Sequence, residues 1–288
     1  MPYLALAQAL PSANFCSLRD FHLSWSDGEC GNHSFRGETS LVNPNTGVDD
    51  LSVALRKIGQ LLTIKSLRLT GSFILSPEFF RSPSPDTNSL PESWSSLEYL
   101  ELRLSPMTPD GDWYFTGNPN STEPNDDRSY ISDEEEEEVH SSDSDTEDYP
   151  AVWEWVKLNG DRPYHPWRNQ PGAPALELFH LELAKSIPQM PKLRRLYCEI
   201  GPVHDLDFNV EYLVAKQESL ERQYSAGMVT HMVYDRPHWD ISLANRRAYT
   251  LQTAWEIPEE LKQAWRNTVG SRAGSIHITN GGQRFELT

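Results

Sequence analysis

The stretch Leu97-Glu98-Tyr99-Leu100-Glu101-Leu102 sets down an apolar residue, two variable ones, a second apolar residue, one variable one and a third apolar residue. The last two apolar positions are two apart, the period of a strand that buries one face. The same spacing recurs three more times: Leu18, Phe21 and Leu23; Ile64, Leu67 and Leu69; Leu193, Leu196 and Cys198. A strand unit that recurs along a chain points to stacked repeats, each burying its apolar side against its neighbours.

The segments between these strands carry helical signals. Asp49 to Leu62 opens with a capping residue and places Leu51, Val53, Leu55, Ile58 and Leu61 near one stripe. Ala175 to Ser186 follows Pro174, a good first-turn residue, and stops before Pro188. Tyr3 to Leu10, closed by Pro11, reads as another helix. Strand, helix, strand in alternation predicts an α/β chain, an irregular leucine-rich-repeat-like solenoid of parallel strands plus helices. The units start 46, 33 and 96 residues apart, whereas regular repeats of this type run roughly 20 to 29 residues. Residues 1–288 are therefore expected to form a single domain with something inserted in it.

Residues 117–149 account for much of the longest gap. They hold Pro, Asn, Ser, Asp and Glu with almost no apolar content, too little to offset the entropy of ordering them, so a disordered acidic loop is expected. Glu123 to Asp148 contains 13 acidic residues and one Arg, which leaves only -5 of the chain's -17 for everything else. The rest of the molecule thus lacks the basic footprint that nucleic-acid binding requires. The tract Asp133, Glu134, Glu135, Glu136, Glu137 and Glu138 reads first as a solvated, self-repelling segment. Its alternative role is to attract a basic protein such as a histone tail or a localisation peptide. Ser132, Ser142 and Ser144 each have an acidic residue three positions on, the pattern of an acidophilic phosphorylation site.

From residue 200 to 288 the pattern turns β-rich. Asp207 to Val214, Met228 to Tyr234 and Arg247 to Trp255 read as strands, and Glu259 to Val269 as a helix opened by Pro258. Ser275 to Ile278 and Arg284 to Leu287 flank Asn280-Gly281-Gly282 as a hairpin. This end is expected to cap the solenoid.

Cys16, Cys30 and Cys198 are too few and too scattered for a disulfide framework or a zinc site, which fits a reducing compartment. The first residues lack the basic start of a signal peptide, and no apolar run is long enough to span a bilayer. A cytoplasmic or nuclear protein, not secreted and not membrane-bound, is expected. The phosphate-binding loop, the dinucleotide-binding glycine turn and the serine-nucleophile elbow are all missing, and the nine histidines have no useful spacing. No catalytic residue, cofactor or metal is assigned, and a non-enzyme is expected.

If the apolar members of each strand point inward, alternation turns Asp20 and His22, Ser66 and Arg68, Tyr99 and Glu101, and Arg195 and Tyr197 to the opposite, concave face. Mixed charge with two tyrosines suits a protein or peptide ligand there. Trp113, Tyr114 and Phe115 on one side of the acidic segment and Trp153, Trp155, Tyr164 and Trp167 on the other are expected to pack its base and to bring its two ends together.

Four stretches together resemble a large fungal family of F-box-like, leucine-rich-repeat-like proteins. They are Trp94-Ser-Ser-Leu97-Glu-Tyr-Leu100, Thr108-Pro-Asp-Gly-Asp-Trp-Tyr-Phe115, Met190-Pro-Lys-Leu193-Arg-Arg-Leu196, and Trp255-Glu-Ile-Pro-Glu-Glu-Leu261 followed by Trp265. They cover the chain from about residue 50 onward, and the Pro-Asp-Gly-Asp-Trp-Tyr-Phe run is the most specific of them. The resemblance implies a substrate-recognition part of a ubiquitin-ligase adaptor, in which an F-box would dock a Skp1-type subunit and the repeats would hold the substrate. No F-box-like helical trio precedes the first strand unit, so the chain reads as a truncated or F-box-free relative, with an F-box upstream as the feature that would complete the adaptor.

Overall fold

The computed structural model describes residues 2–10, 15–25, 30, 32–36, 41–81, 93–120, 165, 167–168, 170–171, 174–203, 206–213, 238–245, 258–270, 275–280 and 283–287. The helices are α1 (Pro2–Ala9), α2 (Asp50–Gly59), α3 (Pro174–Ser186) and α4 (Glu259–Gly270). The strands are β1 (Asp20–Trp25), β2 (Ser66–Phe73), β3 (Tyr99–Leu104), β4 (Phe115–Thr116), β5 (Gln170–Pro171), β6 (Arg195–Val203), β7 (Leu206–Leu213), β8 (His238–Asn245), β9 (Ser275–Asn280) and β10 (Gln283–Leu287). The chain is a mixed α/β protein, and eight of its strands form one sheet in the order β1-β2-β3-β6-β7-β8-β9-β10.

The first four strands of that sheet run parallel, and their register repeats the sequence pattern residue for residue. Phe21 pairs with Leu67, Leu67 with Leu100 and Leu100 with Leu196; two residues on, Leu23, Leu69, Leu102 and Cys198 line up in the same way. The three inner strands bury both rows completely, while Phe21 and Leu23 on the edge strand β1 are half-buried, because only one neighbour covers them. The leading members Ile64, Leu97 and Leu193 sit just before their strands, in the turns that enter the sheet, and are buried as well. Each such leucine removes its apolar surface from water at about 2–3 kcal/mol.

A layer of helices and aromatic rings covers this side of the sheet. Asp49 caps α2 by accepting from Leu51 N at 3.0 Å, and α2 buries Leu51, Ala54, Leu55 and Ile58. The helix ends at Gly59, three residues before the expected Leu62. At Gly59 the backbone meets the indole of Trp94 so closely that a Cβ would lie 2.1 Å from Trp94 Cζ3. Leu62, past that contact, is exposed. Among the described residues between β2 and β3 lies a one-turn 3-10 helix, Pro77–Phe79. Aromatic rings fill the layer there: Phe79 lies 5.3 Å from Trp94 and 4.9 Å from Phe80, and Phe80 lies 5.2 Å from Phe179 of α3. The Tyr114 hydroxyl donates to Leu75 O and ties the next segment to the same cluster.

The C-terminal strands extend the sheet instead of closing its end as a separate layer. β7 runs antiparallel to β6 and β8 antiparallel to β7, β9 is parallel to β8, and β10 returns antiparallel to β9. The expected hairpin over the last residues is the β9–β10 pair, and the expected strand from Asp207 is β7. β8 was not among the expected strands, although Trp239, Ile241 and Leu243 alternate along it; the expected strands Met228 to Tyr234 and Arg247 to Trp255 lie outside the described residues. α4 packs on α3, burying Leu261 and Trp265, and Thr268 Oγ1 donates to Ala184 O at 2.8 Å. Cys16, Cys30 and Cys198 form no disulfide. Among the described residues no helix is long and apolar enough to cross a membrane.

Candidate functional site

The side of the parallel sheet that faces away from the helices carries the alternate residues of the same strands. The register sets them in two rows: Asp20, Ser66, Tyr99 and Arg195, then His22, Arg68, Glu101 and Tyr197. All seven residues expected as partner-binding therefore come together on one face, with Ser66 as an eighth. A third step adds Ser24, Thr70, Arg103 and Glu199, of which β1–β2 and β3–β6 pair directly across the sheet.

The rows are cross-linked by polar contacts. His22 Nε2 lies 3.1 Å from Thr70 Oγ1. The Tyr99 hydroxyl donates to Glu101 Oε2 at 2.8 Å, and the Tyr197 hydroxyl to Glu199 Oε2 at 3.1 Å. Arg103 Nε donates to Glu101 Oε1 at 2.9 Å, its Nη1 lies 4.0 Å from Glu199 Oε2, and its guanidinium sits 5.2 Å from the centre of the Tyr197 ring. Arg68 and Arg195 approach the Tyr99 ring, at 4.6 Å and 5.8 Å. Partial burial, with the hydrogen bond to Glu101 and the Glu101 charge adding, pushes the Tyr99 phenol up to about 12. The tyrosine is therefore a fixed hydrogen-bond donor at neutral pH.

Exposure is uneven across the face. Asp20, His22 and Arg68 are exposed and Tyr99 and Arg195 half-buried, but Glu101 and Tyr197 are buried. The reason lies in position: Tyr99 and Arg103 close over Glu101, and Arg103 and Glu199 flank Tyr197 in the middle of the sheet, whereas Asp20 and His22 stand on the edge strand β1. Glu101, enclosed at 7% exposure, is satisfied by Tyr99 and Arg103, as a buried carboxylate must be.

A second polar cluster lies where the acidic segment leaves and returns. β4 pairs antiparallel with β5. His165 Nε2 contacts Pro119 O at 3.1 Å, and Gly117 passes so near the returning strand that a Cβ would lie 2.1 Å from Trp167 O. The two ends are therefore adjacent, as the flanking aromatics led one to expect, and Trp113, Tyr114, Phe115 and Trp167 are buried. Arg168 is the rivet: its N–H donates to His33 Nδ1 at 2.7 Å, its Nε to His33 O at 2.9 Å and its Nη1 to Phe115 O at 2.9 Å, with its guanidinium 4.2 Å from the Trp167 ring. Ser34 Oγ meets both His165 Nδ1 at 3.2 Å and Trp167 Nε1 at 3.1 Å. Sequence patterns missed His33, Ser34 and Arg168, because the contacts that join His33 to Arg168 and Ser34 to His165 and Trp167 span more than 100 residues. The Thr108-Pro-Asp-Gly-Asp-Trp-Tyr-Phe115 run forms the turn that anchors this cluster. Gly111 N donates to Thr108 O at 2.9 Å, Trp113 Nε1 to Phe35 O at 3.0 Å, and Arg36 pairs with Asp112 at 2.7 Å.

The acidic tract Asp133, Glu134, Glu135, Glu136, Glu137 and Glu138, the serines Ser132, Ser142 and Ser144, and Trp153, Trp155 and Tyr164 lie outside the described residues. Among the described residues no group of three or more His, Cys, Asp or Glu side chains could hold a metal ion. Comparison with protein-family models, curated proteins and solved structures found no match for this chain.

Proposed function

We propose that the chain is a non-catalytic protein-interaction module, built as an irregular leucine-rich-repeat-like half-solenoid, that holds its partner on the polar face of the parallel sheet. The observation that carries this reading is the register that brings Asp20, Ser66, Tyr99 and Arg195 into one row and His22, Arg68, Glu101 and Tyr197 into the next. Repeat proteins bind through such a face because every strand adds one more row of side chains to it. Tyrosine and arginine are the residue types that contribute most at protein interfaces. Here their rotamers are held in advance by Glu101, Glu199 and each other, which lowers the ordering cost of binding.

Affinity capture with the full chain tests the proposal. A partner recovered by the wild type should be lost with an Arg68→Ala/Tyr99→Ala variant and kept with Lys57→Ala, which changes an exposed position of α2 in the helical layer. Equal recovery by all three proteins would remove the sheet face from consideration. A Skp1-type subunit among the recovered proteins would extend the reading to a substrate-recognition part of a ubiquitin ligase.

A further inference from the structure

The strand-entry end of the same sheet carries a pattern that the leucine spacing does not point to. Just before the first outward row the chain lines up Arg19, Lys65, Glu98 and Arg194. Lys65 N donates to Arg19 O at 2.7 Å, Glu98 N to Lys65 O at 2.8 Å and Arg194 N to Glu98 O at 2.8 Å. Arg19, Lys65 and Arg194 are all exposed. Lys192 adds its charge near Glu98, and with Arg68 and Arg195 in the adjoining rows six cations stand against three carboxylates, Asp20, Glu98 and the buried Glu101.

Such a surplus on a chain of net charge -17 runs against the prevailing sign. Local carboxylates do not absorb it. Glu98 accepts from Lys65 Nζ at 2.8 Å and lies 4.0 Å from Arg194 Nη1. The Lys65 hydrogen bond, helped by the Arg194 and Lys192 charges, holds it below the usual carboxylate range, so it is already committed. Arg19 and Arg68 have no ion pair among the described residues. The Nε of Arg195 is buried without a hydrogen-bond partner. The opposite, strand-exit end of the face is different, since Arg103 there is matched by Glu101 and Glu199.

We infer that this entry edge, from Arg19 across Lys65 to Arg194 with Arg68 and Arg195 about Tyr99, recognises a carboxylate-rich peptide segment of a partner protein. The inference rests on the interaction-module reading and names the chemistry of the partner. Guanidinium groups match carboxylates in forked pairs, and a cluster of them reads an Asp/Glu run better than a single contact could. A short acidic segment keeps its charge within the patch. A long polyanion such as a nucleic acid would extend into the field of an acidic molecule and be repelled.

Fluorescein-labelled hexaglutamate, titrated with the full chain and followed by anisotropy, tests this. Saturable binding is expected, weakening at least about fivefold as salt rises from about 50 to about 200 mM. Hexaglutamine should not bind. Lys65→Glu with Arg194→Glu should weaken the complex about tenfold or more; if that pair fails to fold by circular dichroism, Lys65→Gln with Arg194→Gln should still weaken it measurably. Absence of hexaglutamate binding, or binding that these changes leave intact, overturns the inference. So does equal or tighter binding of hexauridylate, and so does binding that appears only after Asp133–Glu138 are changed to their amides, which would give the edge to the chain's own tract. A failed titration, with capture of the partner still dependent on Arg68 and Tyr99, would leave the interaction module standing without this assignment.

Discussion

The two faces of the parallel sheet are made from alternate residues of the same strands, yet they are built on opposite principles. On the inner face the rows hold near-equivalent residues, Leu67, Leu100 and Leu196, then Leu69, Leu102 and Cys198. On the outer face the first two rows set unlike residues side by side: Asp20, Ser66, Tyr99 and Arg195, then His22, Arg68, Glu101 and Tyr197. Burial asks only for apolar volume, so the inner face can repeat a motif. Polar contacts ask for particular donors and acceptors at particular distances, so the outer face cannot. Each strand thus places its apolar core residues on one set of alternate positions and its polar residues on the other.

Substitutions on the two faces should separate cleanly. Leu100→Ala opens a void in the fully buried row, and urea denaturation should register a loss of about 2–5 kcal/mol. Acid should strike the helical layer next. His180 of α3, buried against Phe179, is held neutral by desolvation, which pushes its pKa down to about 3. An unfolded histidine takes up its proton near ~6.5, so between that pH and about 3 the unfolded chain binds the extra proton. Its contribution is complete above ~6.5 and drains away as the pH falls, by about 2–3 kcal/mol between pH ~6.5 and ~4.5. A His180→Leu variant should flatten that part of the stability profile, and an unchanged slope would mean that His180 is solvated.

Smaller effects sharpen the contrast. Gly59→Ala drives a methyl into Trp94 and should cost about 1–3 kcal/mol without altering capture of the partner. On the outer face, His22→Ala removes an exposed ring bonded to Thr70 and should change stability by less than about 0.5 kcal/mol. Thermal melting distinguishes these two, and a large loss for His22→Ala would mean that the outer face is structural.

This asymmetry also governs how much could be read in advance. The four strand units, the capped helix α2, helix α3 with its flanking prolines, α4 and the final hairpin were legible, because each depends on local spacing and local caps. The assembly of Asp20, His22, Arg68, Tyr99, Glu101, Arg195 and Tyr197 on one face followed from strand alternation. Burial of Glu101 and Tyr197 did not follow, because it depends on which long side chains of their own and neighbouring strands fold over them. The Arg168 clasp was invisible because it joins His33 and Phe115 across long stretches of chain. The β2–β3 connection was equally opaque. Phe79, Phe80 and Trp94 there supply the volume that a helix would, and no periodic pattern marks that role.

The register of the parallel strands underlies both faces, and cross-strand amide contacts measured by NMR on deuterated full chain test it most directly. The expected spectrum links the backbone of Phe21 to Leu67, Leu67 to Leu100 and Leu100 to Leu196. Contacts that slip by one residue, or that join Leu100 to strands other than β2 and β6, would turn the rows out of line and contradict the account.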